Sequence, residues 1–211
     1  MRIQEVYTRF CLPKTLQEHM IRVAAVTEIM IQHWTWPHID TKRILCAALL
    51  HDLWNIVKMD FSLHDEWYGH SLSYRQQKKE ETIQIYWTAC HEATIAMVRE
   101  LGVGDDIIAI IEHMGVRCFM EEEGPWETMF VRYADMRVNP WEIVSLDERM
   151  HEGHERYKTT AYWAKEPLWT TILQHAHEQE ANLFQYIHLL PEQITEQSTK
   201  TIQEQLWEFV F

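Results

Sequence analysis

Basic residues are scarce in this 211-residue chain: 19 Lys and Arg stand against 32 Asp and Glu, giving a formal charge of −13. Nucleic acids and anionic membrane surfaces are bound through clustered Lys and Arg, so neither an extended nucleic-acid face nor a membrane-binding face is expected. A polyanionic partner would have to meet a local basic or metal-bearing pocket. Also missing is any apolar run of membrane-spanning length, and the opening MRIQEVYTRFCLPK has no long apolar core of the signal-peptide kind. These absences predict a cytoplasmic protein. The four cysteines, Cys11, Cys46, Cys90 and Cys118, are widely spaced and form no CxxC, so they are expected to be reduced and mostly packed. Strand-like alternation between hairpin turns, internal repeats and low-complexity tracts are absent too.

What remains is helix after helix, in a composition (46% hydrophobic, 24% charged) that suits one sizeable core and a single domain over 1–211. Thr15 to Trp34 opens with a Thr-x-x-Glu capping box (Thr15, Glu18) and sets Leu16, Met20, Val23, Thr27, Met30, Ile31 and Trp34 on one stripe. Asp40 caps a second helix running from Thr41 to Asp52, apolar on nearly every side and therefore expected at the centre. A loop or pair of short helices is expected over Asp60–Lys79. A third long helix runs from about Glu80 to Leu101 and stops at Gly102. A fourth runs from a cap at Asp105 or Asp106 to Gly115, and a fifth from Trp126 to a stop near Asn139 and Pro140. Three further segments follow: Leu146 to Lys165, Pro167 to about Leu190, and Glu192 to Phe211.

The run AALLHDLW, Ala47 to Trp54, poses the chemical question. Burying an ionised carboxylate without a partner costs several kcal/mol, and Asp52 sits beside His51 inside an apolar helix. A divalent cation is the most economical compensation, because His and Asp are both strong ligands for Zn, Mn, Fe or Ni. A helical-bundle site draws its donors from several helices, and each helix offers one: Glu18 and His19, then His91, His113 and Asp135. A lone histidine on a helical face is more often a core or surface residue, and Asp135 has Arg132 and Arg137 close in sequence as pairing partners. The His51–Asp52 doublet is what resists that simpler account.

His19 with Arg22 three residues on, then His51–Asp52 after an apolar run, then Asp135 in a YAD context (Tyr133, Ala134) resemble the HD-domain superfamily of metal-dependent phosphohydrolases. The resemblance covers a core of about 12–139, with YADMRV and the doublet its most specific parts. It implies an all-α, HD-domain-like helical bundle, here with additional C-terminal helices over about 140–211. It further implies that His19, His51, Asp52 and Asp135 bind one metal. Dinuclear members add two histidines, which His91 in CHEATIAMVRELG and His113 in IIEHMG match by position, with Asp52 bridging the ions. Many members continue the doublet as HDIGK or HDxGN. Here Trp54 stands where Gly is usual, and its indole either narrows the pocket or packs in the core.

The expected cofactor is one or two divalent ions (Mn, Fe, Zn, Ni, Co or Mg), activating water for attack on a phosphate ester. Asp52 is then catalytic as well as a ligand. Arg22, Lys58 and Arg137 are the cations placed to orient a phosphate. The leading expectation is a phosphohydrolase acting on a nucleotide or another small phosphate ester. The alternatives are a mixed-valent di-iron oxygenase of the same superfamily and a non-catalytic HD regulatory module. Trp141, Tyr162, Trp163 and Trp169 are candidates for a substrate lid or a homodimer interface, with core packing the safer assignment.

Overall fold

The computed structural model describes residues 1–59, 61, 71–86, 90–121 and 124–211. Eleven α-helices are present among them, with no strand; three isolated bridges join Arg2 to Val210, Trp34 to Ile187 and Val138 to Ile143. The all-α class expected from the periodicity is the observed one.

The central pair forms where the apolar pattern is densest. Helix α2 (Lys14–Gln32) buries Leu16, Met20, Val23, Ala24, Thr27 and Met30, and α3 (Thr41–Leu50) buries every residue from Ile44 onward. The two helices pack on each other. As expected, Asp40 caps α3, its Oδ1 accepting from Arg43 N at 3.1 Å. The capping box at Thr15 and Glu18 does not form. Pro13 is the N-cap, so the cap falls two residues early and Thr15 lies inside the first turn, where its buried Oγ1 finds no partner. Glu18 turns to Lys14 and Arg22 instead. A short helix that the periodicity did not reveal, α1 (Ile3–Arg9), closes one end, where the Tyr7 hydroxyl donates to Leu49 O at 3.0 Å.

The expected helix over Glu80–Leu101 is two, α4 (Leu72–Tyr86) and α5 (Cys90–Glu100); residues 87–89 lie outside those described. Half of the segment expected as loop or short helices, 60 and 62–70, lies outside them too, while its end belongs to α4. Gly102 ends α5 as expected, at φ +72°, a backbone region that favours glycine. Then come α6 (Asp105–Glu112), a short α7 (Val116–Glu121) that had no sequence signature, and α8 (Trp126–Asp135). Helix α8 packs against both α2 and α3.

The last three expected segments are the shorter helices α9 (Leu146–Tyr157), α10 (Leu168–Phe184) and α11 (Glu196–Leu206). Ser145 with Glu148 and Thr195 with Ser198 cap the first and last of them. Helix α10 lies on α8, with Gln179 Nε2 donating to Met129 O at 2.7 Å, and α11 lies along α2. The aromatic candidates divide: Trp169 is buried, Trp163 is half-buried against Tyr157 and Trp169, and Trp141 and Tyr162 are exposed. No helix among the described residues is long and apolar enough to cross a membrane.

Candidate metal centre

Three elements bring four ligand-type side chains together. His19 stands on the apolar stripe of α2, one turn before Val23. Helix α3 ends at Leu50, two residues short of expectation, with His51 as its C-cap; Asp52 then leaves helical geometry at φ −119°, ψ 21° and starts a 3₁₀ turn, Leu53–Lys58. Asn55 N donates to Asp52 O at 2.9 Å and secures that turn. Asp135 is the last residue of α8. The doublet thus sits at a helix end, where the two side chains need not follow helical spacing and can converge.

His19 Nε2 is 3.1 Å from Asp135 Oδ1 and 3.6 Å from Asp52 Oδ2, and His51 Nε2 is 3.7 Å and 3.6 Å from the same two oxygens. All four ligand atoms lie within 4.8 Å of one another. Among the described residues this is the sole group of three or more such side chains close enough to share an ion. Ligand atoms each about 2.1 Å from a common tetrahedral ion are separated by about 3.4 Å, which matches the four measured pairs. His51 supplies a second test of fit. Its Nδ1 lies 2.8 Å from Ala48 O, which fixes the ring, while Nε2 is sealed from solvent with no hydrogen-bond partner. A buried ring nitrogen held by its opposite nitrogen and lacking a partner is the arrangement of a metal-ligating histidine. The donor set, two imidazoles and two carboxylates, suits a divalent cation.

The electrostatics agree. Burial alone would pull the His51 imidazole down, but the Asp52 and Asp135 carboxylates outweigh it and push it up to about 9. Burial likewise favours the neutral form of Asp135, yet the His19 and His51 rings hold it well below the usual carboxylate range. The cluster therefore attracts positive charge strongly enough to overcome desolvation.

The other sequence candidates lie elsewhere. His91 Nε2 is 2.9 Å from Glu112 O and His113 Nδ1 is 2.7 Å from Ala109 O; neither histidine is brought into the four-residue cluster. Arg22 is largely buried one turn beyond His19, with its Nε on Glu196 Oε1 at 2.6 Å. Lys58 is exposed at the end of the 3₁₀ turn. Arg137 is not available to orient a phosphate. It is buried, and its donors go to Val144 O, the Tyr133 hydroxyl, Pro191 O and Ile194 O. Arg132 does not pair with Asp135 either; it donates to His113 O and lies over the Phe119 ring. Trp54 is buried at 4% exposure in the turn after the doublet, a packing residue whose Nε1 has no partner. Glu196 was missed from sequence, because its contact with Arg22 joins residues far apart in the chain and leaves no local pattern.

A family model, HD domain, matches residues 16–158, a span that contains all four clustered side chains. No curated protein and no solved structure matches the chain.

Proposed function

This chain belongs to the HD-domain family, and from that premise we propose that it is a metal-dependent phosphohydrolase acting on a nucleotide or another small phosphate ester. The observation that carries the reading is the convergence of His19, His51, Asp52 and Asp135 around an unsatisfied, buried His51 Nε2. These four residues would hold one divalent ion. Such an ion lowers the pKa of bound water toward neutrality and polarises a phosphoryl oxygen.

The chain's own groups do the rest. The Ala48 carbonyl keeps the His51 ring from rotating away, so the ligand geometry is set before substrate arrives. Asp52 and Asp135, whose side chains are partly exposed, supply the two carboxylates that would hold the ion together with the His19 and His51 rings. Arg22, one turn along α2 from His19, would bind a phosphate oxygen, and Lys58, exposed after the doublet, would add positive charge. A cationic site inside a chain of charge −13 reconciles an acidic protein with an anionic substrate.

The test is to load metal-free protein with Mn or Zn under anaerobic conditions and measure inorganic phosphate released from a nucleotide panel. Turnover is expected without oxygen, since a Lewis acid suffices. Activity that required iron and air would point to the di-iron oxygenases of the superfamily, and metal binding without any turnover to a regulatory module.

A further inference from the structure

Glu196 opens α11, beyond the residues that the family match covers, yet its carboxylate reaches into the ligand-bearing part of the fold. Its Oε1 accepts from Arg22 Nε at 2.6 Å and from Ile143 N at 3.2 Å, and its Oε2 accepts from Gln203 Nε2 at 2.8 Å. Ile143 is bridged to Val138, three residues past Asp135. Glu196 therefore joins the helix that carries His19 to the segment that follows Asp135, and donors from three elements hold it in place.

The guanidinium of Arg22 is correspondingly constrained. Nε is taken by Glu196, Nη1 is sealed from solvent with Glu18 Oε2 at 3.9 Å, and Nη2 is neither bonded nor sealed. Three residues along an α-helix is about 4.5 Å of rise on nearly the same face, so Arg22 neighbours His19. Glu18 lies four residues before Arg22 and competes for the same cation. Without Glu196, the flexible arginine would fold back on Glu18.

We infer that Glu196 is a positioning residue for substrate binding: it fixes the plane of the Arg22 guanidinium so that Nη2 is presented to a phosphate held at the His19, His51, Asp52 and Asp135 cluster. The inference rests on the phosphohydrolase reading. It makes the C-terminal helix a part of the substrate site although that helix lies outside the matched residues.

The experiment is a double-mutant cycle read by calorimetric titration of inorganic phosphate into Mn-loaded protein, using wild type, Arg22→Ala, Glu196→Gln and the double variant. Loss of a charged phosphate donor should weaken binding about 10-fold in Arg22→Ala. Glu196→Gln should weaken it by about 3- to 10-fold, and the double variant should be no weaker than Arg22→Ala. The metal-to-protein ratio and far-UV circular dichroism should match wild type throughout. Glu196→Asp keeps the charge with a shorter reach and should fall between wild type and Glu196→Gln, so the inference stays testable if the Gln variant folds poorly. Wild-type phosphate affinity in Arg22→Ala or Glu196→Gln would overturn the inference and leave the phosphohydrolase reading standing. So would additive losses in the double variant. Absence of phosphate binding by the wild-type protein would overturn both.

Discussion

Arg137→Met keeps most of the side chain's volume while removing four hydrogen bonds. The guanidinium, 3% exposed, donates from Nε to Val144 O at 2.6 Å and from Nη1 to the Tyr133 hydroxyl at 2.7 Å. Nη2 donates to Pro191 O at 3.1 Å and Ile194 O at 3.2 Å. Three of these acceptors are backbone carbonyls that cannot turn away. A buried acceptor left unmet costs about 1–3 kcal/mol, but such costs do not add, and removing a buried cation returns some desolvation energy. The expected net loss is about 3–5 kcal/mol, at the upper end for single substitutions. For a chain of this length that lowers Tm by roughly 10 °C. Urea and thermal unfolding followed by far-UV circular dichroism measure it, with elemental analysis alongside. Metal content should not change, because none of the four acceptors belongs to the cluster. Arg137→Lys should recover only a minor part, since one ammonium cannot reach all four acceptors in a planar fork. A loss below about 1 kcal/mol, or metal loss with stability intact, would refute the structural role assigned to this residue.

Asp52→Ala should abolish metal retention and phosphate release together; full metal content by elemental analysis would remove Asp52 from the centre. His91→Ala should leave the metal-to-protein ratio unchanged, because its Nε2 meets the Glu112 carbonyl rather than the cluster, and a halved ratio would bring a second ion back. Burial pushes the Cys46 thiol up to about 11, so at pH 8 a chromogenic disulfide reagent should spare it until the protein is unfolded; rapid labelling of Cys46 in the native state would show that α3 opens.

Local chemistry was legible in the sequence where one helix carried it. The apolar run of α3 with Asp40 before it specified both a central helix and its cap, and a doublet of His and Asp inside that run had no inexpensive explanation other than a cation. Boundaries were less legible. Thr15 reads as an N-cap, but Pro13, two residues earlier, cannot donate a backbone N–H and takes that position itself. Arg22 and Arg137 look alike from sequence, each near a ligand. What separates them is tertiary: Arg137 finds four acceptors, one on α8 before it and three in the chain after it, while Arg22 keeps Nη2 unbonded. Partners far apart in the chain, such as Arg22 with Glu196 or Tyr133 with Glu180, have no periodicity to betray them.

Two helices end at the same place. Helix α3 stops at Leu50, just before His51 and Asp52, and α8 stops at Asp135 itself. The peptide dipoles of a helix leave about half an elementary negative charge at its carboxyl end. The backbone thus adds its own field to that of the two carboxylates, so the pocket is negative before any side chain is counted. Such a field draws in a cation and repels a bare phosphate. On the phosphohydrolase reading proposed above, an order of binding follows: the ion would bind first, and an anionic substrate would be admitted once the ion had reversed the sign of the site.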